Sequence, residues 1–191
     1  MWETMEFGAA HEGRPGVVLA DGTEPKPVYF DTGSGANMHE SSDWWIYDGT
    51  LGAPVATQLR GSCSCGWRGE TRYPLDWETV ERHSPERHDT CGPENDWDQH
   101  ITEVADRAVP IPEELTALLA QVDQRLNALA GEAPLAALRA IATLEHTLTQ
   151  AGRTAALNAE ADDTAGNTIG PGLGLPDRDA RSRLLRYTLR R

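Results

Sequence analysis

The segment Cys63-Ser64-Cys65-Gly66-Trp67 constrains this chain most, because the one remaining cysteine, Cys91, lies among His83, His88 and His100. Two thiolates on a tight turn, a third thiolate and a choice of imidazoles make the ligand set of a tetrahedral zinc site. Zinc favours such N/S donors, whereas hard cations favour oxygen. The spacing therefore predicts a structural zinc held by Cys63, Cys65, Cys91 and His100, with His83 and His88 as alternates for the fourth position. Gly66 lets the backbone fold tightly enough for both sulfurs to converge, and Trp67 is placed to cover the site.

Three cysteines cannot all pair, and a bridge between Cys63 and Cys65 would close a strained small ring. Metal ligation in a reducing cytoplasm fits these thiols better than a disulfide framework. The start of the chain is acidic rather than basic and apolar, and no stretch approaches 18 uninterrupted apolar residues. A soluble cytoplasmic protein with no membrane partner is expected.

Composition changes along the chain. Residues 1–110 hold all six tryptophans and all three cysteines, whereas residues 112–191 are rich in Ala and Leu and contain no Trp. The expected architecture is α+β: a small β-rich, zinc-ribbon-like module over 1–110, then an all-helical module over 111–191. Strands are expected at 17–20, 27–30 and 44–47, with a loop at 33–36. A hairpin of 55–62 with 69–73 would carry the Cys-Gly-Trp turn at its tip. Short helices are expected at 76–83 and 94–107.

Pro112 followed by Glu113 and Glu114 is favourable chemistry for a helix start. Leu115, Leu118, Leu119, Val122, Leu126 and Leu129 follow helical spacing up to Gly131. Pro134 opens a second helix with Leu135, Leu138, Ile141 and Leu148 on one face. These stripes predict a helical hairpin whose leucines are packing residues rather than a cofactor site.

The formal net charge of −13 excludes general adhesion to nucleic acid or anionic membrane. The distribution is uneven. Residues 1–150 carry a net −15, whereas Leu175–Arg191 has six arginines against two aspartates. Only this end suits a phosphate backbone.

Ile169, Gly170, Leu173, Gly174, Leu175, Ala180, Arg181 and Arg183 resemble the Ile-Gly-x-x-Leu-Gly-Val-Ser-x-x-x-Ala-Arg-x-Arg pattern of actinobacterial helix-turn-helix domains related to sigma-factor region 4. The resemblance implies a helix-turn-helix over about 162–189, with Gly174 making the turn and the helix from Asp177 entering a major groove of double-stranded DNA. Arg178, Arg181 and Ser182 would then face the duplex, with Arg183, Arg186 and Arg190 beside its backbone. The pattern departs from the family where Gly166, Gly170, Pro171 and Gly172 occupy the first helix, since these residues disfavour helix. Leu185 and Leu189 near the same face suit a protein partner or self-association instead. Trp45-Ile-Tyr-Asp-Gly49, the Cys63-x-Cys65-Gly-Trp-Arg-Gly block, Leu75-Asp-Trp77, Asp89-Thr-Cys91, Trp97-Asp-x-His100 and the helical tail are also similar to small proteins of high-GC actinobacteria over most of residues 44–191, a resemblance that supplies no activity.

The sequence thus points to a non-enzymatic, DNA-associated regulatory protein with a structural zinc. The alternative is an interaction adaptor using the C-terminal helix. A small metal-dependent hydrolase would need an open coordination position and a base such as Glu94, Asp96 or Asp98. The zinc-deaminase signature is absent.

Overall fold

The antiparallel pairing of two glycine-containing strands organises the first half of the chain. In the computed structural model, which describes residues 1–4, 6–31, 38–161 and 166–189, β1 (Gly13–Leu19) pairs with β4 (Ala56–Cys63). The register runs from Gly13 opposite Cys63 to Val18 opposite Gln58, with an irregularity before Leu19. The short β5 (Tyr73–Pro74) adds to the other edge of β4, opposite Leu59 and Gln58. A separate two-stranded sheet joins β2 (Val28–Asp31) to β3 (Met38–Ser41). The loop expected at 33–36 and Arg190 lie outside the described residues.

Val17 and Leu59 face each other across the ladder and lead the buried cluster, with Trp44, Tyr47, Ala56, Leu75 and Val80. The expected strand at 44–47 is instead a 3-10 helix, Trp44–Ile46. Its bonds from Ile46 N–H to Asp43 O and from Tyr47 N–H to Trp44 O bring residues three apart onto one side. Trp44 and Tyr47 are therefore both buried, an arrangement that strand alternation would not give two residues of opposite parity.

The helix expected at 76–83 is also absent. The Asp76 carboxylate accepts the Glu78 N–H, and its carbonyl accepts both the Thr79 N–H and hydroxyl. These local bonds make a turn that competes with helix. Farther on, α1 runs Cys91–Arg107 and starts three residues before the expected position. The Asp89 carboxylate accepts the Cys91 N–H, and Pro93 fits the first turn, where an N–H would be unused.

Trp97, buried on α1, docks against the start of β1. A Cβ built on Gly13 would lie 2.5 Å from the Trp97 ring and 2.7 Å from Trp2. Gly13→Ala is expected to destabilise the module by ~1–3 kcal/mol through overpacking, read as an earlier denaturation midpoint with an unchanged denaturant slope.

The chain divides into two compact units, Met1–Asp106 and Arg107–Arg191. The fold is α+β, with its sheets in the first unit and the second built of helices α2 (Glu113–Glu132), α3 (Pro134–Ala161), α4 (Gly166–Gly172) and α5 (Asp177–Leu189). Gly131 lies inside α2 rather than ending it. The helix stops at Ala133, before the proline that opens α3.

The leucine stripes behave differently from the expected core. Leu118 and Leu119 are each 50% exposed, Leu138 is 62% exposed, and α2 has no buried residue. A two-helix hairpin offers each stripe only one neighbouring cylinder, which covers one flank and leaves the other open. By contrast, α5 packs against both α3 and α4, and Ala156, Leu175 and Ala180 are buried there. No helix of the described residues is long and apolar enough to cross a membrane.

Candidate metal centre

Four side chains from three separate segments converge at one end of the β1–β4 sheet. His11 ends the 3-10 helix Gly8–His11, Cys63 ends β4, Cys65 lies in the following turn and His100 projects from α1. One ligand atom from each lies within 4.8 Å of all the others. His11 and Cys63 are buried, and Cys65 and His100 are half-buried. Cys63 Sγ sits 3.5 Å from His11 Nδ1, and Cys65 Sγ 3.4 Å from His100 Nε2. Metal–sulfur and metal–nitrogen bonds of ~2.0–2.3 Å imply tetrahedral edges of roughly 3.3–3.8 Å, so these two pairs already match such an ion.

The turn is built for convergence. Gly66 has φ 100°, and its N–H bonds the Cys63 carbonyl, while the Cys63 N–H bonds the Trp67 carbonyl. The Trp67 N–H points at Cys65 Sγ across 3.4 Å, adding a donor that stabilises negative charge on sulfur. Ser64, between the two cysteines, fixes the incoming histidine segment. Its hydroxyl donates to the Ala9 carbonyl and accepts the Glu12 N–H, and its own N–H bonds the Glu12 carbonyl. Trp67 stacks on His100 with ring centres 4.4 Å apart and planes within 7°, covering one side of the site.

Electrostatics at the sulfurs fit metal ligation. The hydrogen bond from the Cys65 thiol holds the Cys63 pKa well below the usual thiol range, with His100, the Cys65 N–H and Trp97 acting in the same direction against burial. The same contact, together with burial, pushes Cys65 up, so the two thiols titrate as a pair that shares one proton. The buried indole N–H of Trp97 is one of the donors that act on Cys63. An N–H left near a thiolate is the kind of outer group that tunes a thiolate–metal bond.

The structure brings together Cys63, Cys65 and His100 of the expected ligands but not Cys91. That cysteine is exposed at the first turn of α1, where the Asp89 carboxylate raises its thiol pKa by hydrogen bonding. Nine residues of helix, ~13 Å of axial rise, separate it from His100, too far for both to hold one ion. His11 takes its place. Of the alternates, His83 is exposed and His88 lies against Trp44 with ring centres 5.2 Å apart. Neither joins a metal-ligating cluster among the described residues. The nearby acid Asp96 accepts a hydrogen bond from the Tyr73 hydroxyl.

In the second unit, α4 forms despite Pro171, and Gly174, at φ 61°, turns the chain into α5. Residues 162–165 of the expected helix-turn-helix lie outside the described residues. Arg178, Arg181, Ser182, Arg183 and Arg186 are all exposed on α5, as are Leu185 and Leu189, while Ala180 is buried and Leu184 and Tyr187 are half-buried. Arg178 contacts Asp179 at 3.3 Å, and Arg186 lies over the Tyr187 ring.

No protein-family model, curated protein or solved structure matches the chain.

Proposed function

We propose that this is a non-enzymatic, DNA-associated regulatory protein in which a structural zinc stabilises the first unit and the α4–α5 helix-turn-helix engages duplex DNA. The observation that carries the DNA reading is the pairing of a left-handed Gly174 turn with a helix that buries Ala180 and exposes its arginines. That is the division of labour a groove-binding helix needs. Zinc is the metal that suits two thiolates and two imidazoles, and four protein ligands leave a tetrahedral ion no place for a reactive water. In the reducing cytoplasm the thiols would stay available to the metal. Selection of random-sequence duplexes at low salt is expected to enrich a motif, and the reading fails if none is enriched.

A second reading, an adaptor for a protein partner or a second copy, is favoured by Leu185 and Leu189, which are 55% and 74% exposed on α5. Leu185→Asp would then abolish partner capture or lower the solution mass while leaving the melting temperature within a few degrees, because it alters an exposed side chain. Unchanged mass and unchanged partners would remove this reading.

A further inference from the structure

Residues 1–106 contain only seven Lys and Arg, yet three of them gather on one face of the β1–β4 sheet. The register sets Arg14 opposite Ser62, and an isolated bridge sets Ser62 beside Arg68. Arg14, Ser62 and Arg68 therefore form one row across three neighbouring segments, with Arg60 on the same face two residues before Ser62. Gly16 stands opposite Arg60, and a Cβ there would overlap Ser62 Oγ. Arg14, Ser62, Arg68 and Tyr47 border a cavity of about 200 Å³.

Positive charges lined up across a sheet repel unless an anion joins them. Glu24 supplies one. Its carboxylate pairs with Arg60 and, at 2.8 Å, with Arg68, and although burial opposes its charge, those hydrogen bonds keep its pKa below the usual range. Three guanidiniums face Glu24, which also borders the cavity, while Asp43 and Glu40 act on Tyr47 at its edge. Arg14 makes no ion pair among the described residues. Arg68 spends Nε on Glu24 and Nη1 on the Cys63 and Trp67 carbonyls, which leaves Nη2 for something else. Ser62 is only 2% exposed, and neither its Oγ nor Arg60 Nε, also buried, has a hydrogen-bond partner. Buried polar groups without partners are rare, and Ser62 Oγ, which borders the cavity, marks a place for a ligand.

We propose that this face binds a dianionic oxyanion, either phosphate or a phosphomonoester, between Arg14 and Arg68 with the Ser62 hydroxyl donating from the sheet. Two guanidinium forks and a hydroxyl match the several tetrahedral oxygens of such an anion. A monocarboxylate has only two oxygens to share between both forks and the hydroxyl. Because Arg68 also donates to the Cys63 and Trp67 carbonyls, the anion would lie directly beside the metal-binding turn without touching the ion.

Calorimetric titration of the full chain at low ionic strength tests this with inorganic phosphate, ribose 5-phosphate and acetate as probes. Phosphate and the ester are expected to saturate one site, and acetate to bind at least about tenfold more weakly. Arg14→Gln and Ser62→Ala should each weaken phosphate by about tenfold, the loss of one charge-assisted hydrogen bond. Arg82→Gln, outside the row, should bind as the parent does. Tighter binding of the ester identifies a phosphomonoester site, and equal binding a site for the free anion. Absence of saturation, acetate as strong as phosphate, or parental affinity in both Arg14→Gln and Ser62→Ala would overturn the proposal. Arg14 is exposed, so its variant should melt like the parent and keep the test valid if Ser62→Ala is unstable.

Discussion

Cys65→Ser is expected to purify without zinc and to melt well below the parent in its first unit, whereas Cys91→Ser keeps one zinc per chain and parental stability. The contrast follows from position: Cys65 belongs to the converging set and Cys91 is exposed at the start of α1. His11→Ala should behave like Cys65→Ser. Structural zinc contributes ~10–16 kcal/mol in peptides with little other core. Here a hydrophobic cluster around Val17, Trp44 and Leu59 also holds the unit together, so a smaller share is expected. A loss of only ~3 kcal/mol would lower the melting temperature of a unit of this size by roughly 12–24 °C. Metal analysis and calorimetric melting with and without chelator measure both quantities. Zinc retained by His11→Ala and lost by Cys91→Ser would reverse the ligand assignment.

The same site fixes a sign for pH. The shared hydrogen bond lowers the Cys63 pKa and raises that of Cys65, so the metal-free pair keeps one proton near neutrality. Binding must then expel one proton from the thiol pair, so this pair makes zinc affinity fall about tenfold for each unit that the pH drops. Competition with a chromophoric chelator at two pH values near neutrality measures the slope. A pH-independent affinity would contradict ligation by Cys65.

Much of this centre is legible in the sequence because its turn is local. Cys63, Cys65 and Gly66 lie within four residues, and their chemistry depends on little beyond the backbone between them. His100 is legible through the helix that carries it. His11 is not, since it reaches the site only through the pairing of β1 with β4, 52 residues apart in sequence at its contact with Cys63. A signal is present nonetheless: aligning Val17 with Leu59 as antiparallel partners and extending that register sets position 11 opposite position 65. Cys91 misleads because a helix beginning at 94 would leave the cysteine on a loop free to approach the turn, whereas α1 already includes it.

The helical half shows the converse. Apolar periodicity locates α2 and α3, but periodicity records which residues share a face and says nothing of what covers it. The half-exposed leucines of the hairpin are the result. Propensity argues against a helix at Gly166–Gly172, yet α4 forms, and the α5 segment packs on it. Tertiary contact outweighs the ~1 kcal/mol cost of each internal glycine where a neighbouring helix supplies the packing.

Arg181→Ala is expected to reduce binding to a selected duplex by ~1–3 kcal/mol, about 5- to 150-fold, if its guanidinium reads a base edge. A phosphate contact would instead weaken all duplexes alike. Salt separates these roles. Each phosphate that the protein no longer neutralises lowers the slope of log affinity against log salt by about 0.9, so replacing Arg178, Arg181 and Arg183 together should flatten it by up to about 2.7. The remainder of the chain is strongly acidic and repels DNA, so binding must rest on the few arginines of α5 and should be steep in salt. Fluorescence anisotropy with the selected duplex and a scrambled one, over a range of salt, measures both. Equal affinity for the two duplexes, with a slope unchanged in the triple variant, would mean that α5 does not contact DNA and would leave its exposed leucines as the functional part of that helix.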